Sequence, residues 1–233
     1  MTQLSDDVDA YGMSGDGSCI VGDRMDHEGV VWRQTGISTF GKSIVGQTAG
    51  PQRAHDASGD CKVVVGWALA PAATLGVVAE GSSEFALYPI GAVAATTALA
   101  VSSDGLVVVG WGTNNGDGTR QAYRWTRTAP GKYTAERLDD LAGGTVDGAA
   151  VDTNQDGSVV VGFGTTATAT EPFIWDKTKG VRRLVDELAS RGYEWPSTLQ
   201  LDTVAAINPS GEYVVGTYTN PEGKPEAWRI RLK

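Results

Sequence analysis

Histidine is scarce in this chain. Among 233 residues there are only His27 and His55, and no Ser-His-Asp arrangement built on either is persuasive. Basic residues are outnumbered: Lys and Arg total 19 against 28 Asp and Glu, for a net charge of −9. A surface that neutralises many phosphates is therefore excluded as the main feature, and with it nucleic acid as a partner. The densest basic stretch, Lys177 to Arg183, is short. No run of 18 apolar residues occurs, so no membrane-spanning helix is expected. Met1 to Asp9 lacks the basic and apolar stretch of a secretory signal. Cysteine is limited to Cys19 and Cys61. They fall in corresponding regions of two neighbouring repeats but out of register. The sequence favours two buried thiols, in a reducing compartment or a virion, over a bridge between the repeats.

What the chain has is glycine, 31 residues of it, and a repeat. A Ser or Asn, a short polar turn, an apolar triplet and a glycine recur five times. The copies are Ser14 to Gly22, Ser58 to Gly66, Ser102 to Gly110, Asn154 to Gly162 and Asn208 to Gly216. Their final glycines stand 44, 44, 52 and 54 residues apart. A period of this length with several strands per unit marks a propeller or a solenoid.

The fourth unit reads most plainly. Asp147 to Thr153 is a short small-residue strand, and Asn154-Gln-Asp156-Gly157 is a turn. Ser158 to Gly164 is a β-branched run buried on both faces. Pro172 to Trp175 is a third strand and Val181 to Val185 a fourth, around a turn at Gly180. The third-strand pair Phe173 and Trp175 recurs as Val30 and Trp32, Phe85 and Leu87, Tyr123 and Trp125, and Trp228 and Ile230. Small residues stand twelve places before each final glycine: Ala10, Ala54, Ala98, Ala150 and Val204. They suit innermost strands crowding around one axis, which favours a ring over an open stack.

The expected fold is thus all-β: a single domain over 1–233, a five-bladed β-propeller of four-stranded antiparallel blades. The repeats run roughly 8–52, 53–95, 96–143, 144–199 and 200–233. The fifth lacks a fourth strand, and residues 2–6 resemble one. Their pairing in the last blade would close the ring and cover a sheet edge. Asp186 to Gly192 breaks the strand pattern with helix formers and predicts a short helix in an insertion.

Ala122-Tyr-Arg-Trp125, Leu138-Asp-Asp-Leu-Ala-Gly-Gly144 and the repeated Ser-x-Asp-Gly-x-Val-Val-Val-Gly resemble the HAF-repeat family of bacterial extracellular repeat proteins. The stretch from Ala205 to Trp228 is similar to that family's last repeat, and the second repeat here is the weakest match. The resemblance implies a β-propeller on a cell surface, in a secreted protein or in an autotransporter passenger, with no catalytic residues to carry over. A phage tail or spike component could hold such a module as well.

Candidate chemistry is sparse. Gly36-Ile-Ser-Thr-Phe-Gly41-Lys42-Ser43 matches the P-loop pattern, but that motif needs a helix directly after Ser43. Gly46, Gly50 and Pro51 oppose one, and the period places the segment on the outer strand of unit one. Asp152, Asn154 and Asp156 form the first half of a calcium loop with Gly157 at its sixth position. Phe163 stands where the bidentate acid belongs, so the turn alone explains these residues and calcium is the weaker reading. Ser102-Ser-Asp104-Gly105 departs in spacing from the Asp box of sialidases. His55 and Asp56 sit on an expected inner strand facing the tunnel, where a hydrogen-bonded structural histidine is the commoner case. Trp67 and Trp111 follow the final glycines of units two and three and suit either inter-blade core or stacking on sugars. Trp195, in the insertion, is better placed for exposure, and Tyr193 lies two residues before it.

No catalytic constellation emerges. The expectation is a non-catalytic binding or structural module that recognises a surface glycan or a protein through loops at one end of the ring. The long loops are Asn114 to Gln121, Thr165 to Glu171 and Gly192 to Leu199. A virion component packed against its neighbours, and a polysaccharide-active enzyme with Asp56 and Asp152 at the tunnel mouth, are the alternatives.

Overall fold

The computed structural model describes residues 8–24, 28–33, 36–39, 52–70, 73–90, 93–114, 118–196 and 199–232. They form five antiparallel meanders, the blades of a five-bladed β-propeller. Blade one comprises β1 (Val8–Met13), β2 (Cys19–Arg24), β3 (Gly29–Arg33) and β4 (Gly36–Thr39). Blade two comprises β5 (Gln52–Ala57), β6 (Val63–Leu69), β7 (Thr74–Glu80) and β8 (Ser83–Leu87). Blade three has β9 (Val93–Val101), β10 (Val107–Asn114), β11 (Arg120–Ala129) and β12 (Lys132–Arg137). Blade four has β13 (Ala149–Thr153), β14 (Val159–Thr165), β15 (Thr170–Asp176) and β16 (Gly180–Arg183), followed by α1 (Leu184–Ser190). Blade five shows three strands, β17 (Gln200–Ile207), β18 (Tyr213–Thr219) and β19 (Pro225–Arg231). The expected closing strand, residues 2–6, lies outside the described residues, as do His27 and the Lys42-Ser43 end of the P-loop match. The start of that match, Gly36–Thr39, is strand β4.

The repeated glycine has a steric cause. The inner strand bulges against the second strand in every blade, between Ala54 and Asp56 in blade two, for example. The bulge pushes a carbonyl toward the glycine. A Cβ on Gly22, Gly66, Gly110, Gly162 or Gly216 would collide with the backbone oxygen of Asp9, Arg53, Thr97, Ala149 or Thr203 respectively.

The apolar triplets of blades two, three and four are buried on both faces, and alternate residues feed different cores, whereas Val215 of blade five is 36% exposed. Val64 packs with blade one, while Val63 and Val65 pack with blade three. Val108 faces blade two, and Val107 and Val109 face blade four. Val160 and Val161 divide likewise between blades three and five. Each such side chain contributes about 1.5–3 kcal/mol by leaving water. Third-strand aromatics enter the core shared with the preceding blade: Tyr123 and Trp125, then Phe173 and Trp175, then Trp228.

Three expectations need correction. Phe85 and Leu87 lie on the fourth strand of blade two, not the third. The register of β6 with β7 puts Val77 opposite the repeat glycine, Gly66, and Val64 opposite Ala79. Among the described residues, the core between blades one and two consequently holds no aromatic ring. What it holds instead is the second correction: Cys19 and Cys61 are joined in a disulfide, with Cα atoms 6.0 Å apart. The register mismatch in sequence is absorbed because the two cysteines come from different blades. The third is the helix, which begins two residues earlier than expected, at Leu184, and buries Leu184, Glu187 and Leu188. None of the described helices is long and apolar enough to cross a membrane.

Candidate functional site

Meander topology sorts the connections into two ends. The Ser/Asn turns between first and second strands share one end with the tight third-to-fourth turns. The second-to-third loops and the links between blades share the other. We call these the turn end and the loop end.

The turns of the turn end are held by their own hydrogen bonds, beside a cleft of about 940 Å³ lined by Lys62, Glu80, Glu84 and Arg127. The first side chain of each motif accepts the amide five residues on: Ser14 from Cys19 (3.0 Å), Ser58 from Val63 (3.0 Å), Ser102 from Val107 (2.9 Å), Asn154 from Val159 (2.9 Å) and Asn208 from Tyr213 (2.8 Å). The aspartates accept the amide two residues on, as Asp156 does from Ser158 at 3.1 Å. Bonds from Ser18 and Ser158 hold Asp16 and Asp156 below the ordinary carboxylate range. Successive turns are also joined to each other through backbone. Asp16 N donates to Gly59 O, Gly59 N to Ser103 O, Asp104 N to Gln155 O and Gln155 N to Pro209 O, at 2.8–3.1 Å. The repeat motif therefore builds a belt from blade one to blade five. Asn154 and Asp156 are members of that belt. Asp152 stands on the inner strand and bonds elsewhere. Among the described residues, no group of three or more acidic, His or Cys side chains is placed to hold a metal.

Asp56 and Asp152 are equivalent residues of blades two and four, and they act alike. Asp56 accepts the amides of Ala57 (2.8 Å) and of Val101 in blade three (2.9 Å). Asp152 accepts those of Thr153 (2.7 Å) and of Ile207 in blade five (2.8 Å). Each carboxylate thus staples its blade to the next. Burial pushes Asp56 up to about 6 and Asp152 up to about 7, the latter raised further by the charge of Asp56. His55 donates through Nδ1 to Ala98 O at 2.8 Å, and its ring meets Tyr11 edge-on at 6.2 Å. Burial lowers its pKa below the usual histidine value.

The three long loops all fall at the loop end. Half-buried Trp111 meets Gly118, Thr119 and Arg120 of the first loop around a shallow depression of about 470 Å³. There Arg120 pairs with Asp147 at 2.9 Å and lies 5.0 Å from the ring of Phe163. Trp67 is also half-buried, and it lines none of the loop-end clefts.

The other two loops converge. Thr168, Glu171 and Pro172 of the first and Tyr193, Trp195 and Pro196 of the second line one cleft of about 980 Å³ between blades four and five. Trp195 is partly buried against the core, donates through Nε1 to Leu199 O at 2.6 Å and meets Tyr218 edge-on at 6.1 Å. That leaves Tyr193, 48% exposed, as the free aromatic of the cleft. Glu171 accepts from Arg183 Nε at 2.7 Å and from Thr166 Oγ1 at 3.2 Å. Gln200 completes the polar lining.

Glu171, Arg183 and Gln200 were not foreseen as site residues. Arg183 belongs to the short basic stretch, which the fold dismantles. Lys179 and Arg182 turn inward to Glu187, and only Arg183 reaches the cleft.

The sequence matches no protein-family model and no curated protein. Solved structures do match in shape. A putative TolB from Agrobacterium tumefaciens aligns with a TM-score of 0.65 at 12% identity, over 97% of this chain and 77% of that one. TolB from Acinetobacter baumannii gives 0.58 at 10% identity, over 97% of this chain and 50% of that one. The β-propeller domain of the Trilobed protease from Pyrococcus furiosus, described as having an open velcro topology, gives 0.59 at 13% identity, over 99% and 69%. At these identities the likeness is one of fold: the chain is similar to known β-propellers in its blade architecture.

Proposed function

We propose that this protein is a non-catalytic binding module that recognises a surface glycan or a protein partner through the loop end of its propeller. The observation that carries the reading is the convergence of two loops, distant in sequence, on one open cleft with an exposed aromatic and paired charges. The turn end carries a cleft of similar volume, about 940 Å³, but no aromatic is among its described lining residues, and Arg127 and Lys62 are paired there with Glu80 and Asp60. The disulfide supports an oxidising location, and we place the protein at a cell surface, outside the cell or in a virion.

Glycan and peptide arrays probed with the full chain and with Tyr193→Ala test this. The reading expects a signal on one array that Tyr193→Ala removes. Blank arrays, or a signal indifferent to that change, count against it.

A polysaccharide-active enzyme draws on one specific observation, the raised pKa values of Asp56 and Asp152 near the axis. Both oxygens of each already accept backbone amides, which suits a structural staple better than proton transfer. Release of reducing sugar from a polysaccharide panel, abolished by Asp152→Asn, would favour the enzyme.

A further inference from the structure

We infer that the cleft between blades four and five is a subsite for a neutral oligosaccharide. This rests on the binding reading above and commits it to one ligand class. A pyranose ring offers an apolar C–H face and a rim of hydroxyls, and the cleft presents complements to both. Tyr193, 48% exposed, supplies an aromatic ring to its lining. Glu171 and Arg183 supply a carboxylate and a guanidinium fixed side by side at 2.7 Å. Adjacent hydroxyls can use such a pair together: one donates to Glu171 Oε1 or Oε2, the other accepts from an N–H of Arg183. Both side chains are held before the ligand arrives. Thr166 anchors Glu171, and Asp186 lies 3.4 Å from the Arg183 guanidinium. The ordering cost of binding is correspondingly small. Gln200 adds an amide that can donate and accept.

Charge selects against acidic sugars. Glu171 and Glu194 line the cleft against the single cation Arg183, which is already paired, on a chain of net charge −9. Strand addition by a peptide is poorly served. Along Thr170–Pro172 the edge of β15 away from β14 is short, since β16 pairs from Phe173 onward, and Pro172 has no N–H to offer. The volume, about 980 Å³, accommodates two or three sugar rings.

The test is calorimetric titration of the full chain with four neutral trisaccharides (cellotriose, laminaritriose, maltotriose and chitotriose) and with trigalacturonate. At least one neutral trisaccharide should bind and trigalacturonate should not. Tyr193→Ala should weaken the interaction by roughly tenfold or more, and Tyr193→Phe should preserve it. Glu171→Gln should weaken it by about tenfold, through loss of a charge-assisted bond. Lys62→Ala, at the turn end, should leave it unchanged. Thermal melts identify any variant whose fold is lost, and the exposed Tyr193 pair keeps the test open if Glu171→Gln unfolds. Binding of trigalacturonate in preference to the neutral sugars overturns the inference, as does neutral binding that survives Tyr193→Ala. If no sugar binds but a peptide array gives a signal that Tyr193→Ala removes, the sugar assignment falls and the binding cleft stands. If both are blank, both fall.

Discussion

Five residues occupy the same place in the five turns: Gly17, Cys61, Gly105, Gly157 and Gly211. All have positive φ, between 56° and 73°, and Cys61 is the one non-glycine with positive φ among the described residues. A side chain there is strained, by roughly 1–2 kcal/mol, and the disulfide to Cys19 offsets that strain. Because it closes a loop with a sequence separation of 42, its removal should cost about 4 kcal/mol on the chain-entropy account. In a Cys19→Ala background, Cys61→Gly should then be more stable than Cys61→Ala by ~1 kcal/mol, since glycine fits the turn. Denaturant midpoints of the two variants check this, and an advantage for alanine would contradict it. The axial aspartates give a second expectation. Their folded pKa values, about 6 and about 7, lie above the ordinary carboxylate range. Their contribution to stability is therefore fully present below about pH 4 and lost as pH rises through 6 and 7. His55, with its lowered pKa, works the opposite way in the same window. The diagnostic is thus the difference between chains: Asp152→Asn should show a smaller fall in Tm between pH 4 and 7 than the parent, the remainder belonging to Asp56. An identical pH profile for the two would refute the assignment.

Among the elements, α1 depends on one buried acid. Glu187 is 1% exposed and accepts hydrogen bonds from Lys179, Arg182 and Arg191. Burial alone would raise its pKa, but the hydrogen bonds from these cations prevail and hold it at about 2. Its contribution is present at neutral pH and lost only as pH falls toward 2. Glu187→Ala removes the buried acceptor that three partly exposed cations share and should cost about 1.5–3 kcal/mol, read by urea unfolding at pH 7; a change under about 0.5 kcal/mol would show the cluster to be solvated. Such pairings were not legible in the sequence. The blades were, because an apolar triplet between a polar turn and a glycine repeats with little change. Blade two was misread on one strand because Val77 and Ala79 replace the aromatic pair, and Phe85 and Leu87 offered a better match one strand later. The disulfide was missed for a related reason: cysteines out of register along the chain meet when adjacent blades pack face to face. The candidate cleft was half legible. Trp195 and Tyr193 stood out in an insertion and the two loops as long connections, whereas Glu171 and Arg183 read as ordinary charges until β15 and β16 brought them side by side.

At the scale of the whole molecule, four junctions between consecutive blades are built the same way. Each has an inner core, and each is crossed by one bond of the turn belt. Val30 and Trp32 are buried on the face of β3 opposite Val31, which packs toward blade two. The division of labour follows from the meander. One end is held together by repeated turns, and the other carries the cleft with an exposed aromatic. The account's central claim is that binding belongs to that second end. Hydrogen–deuterium exchange on the full chain, with and without a saturating trisaccharide or array-selected peptide, tests it most directly. The account predicts added protection in 166–171 and 192–201, with the five turns from Ser14, Ser58, Ser102, Asn154 and Asn208 unchanged. Protection concentrated in those turns, with the two loops exchanging as before, would contradict it.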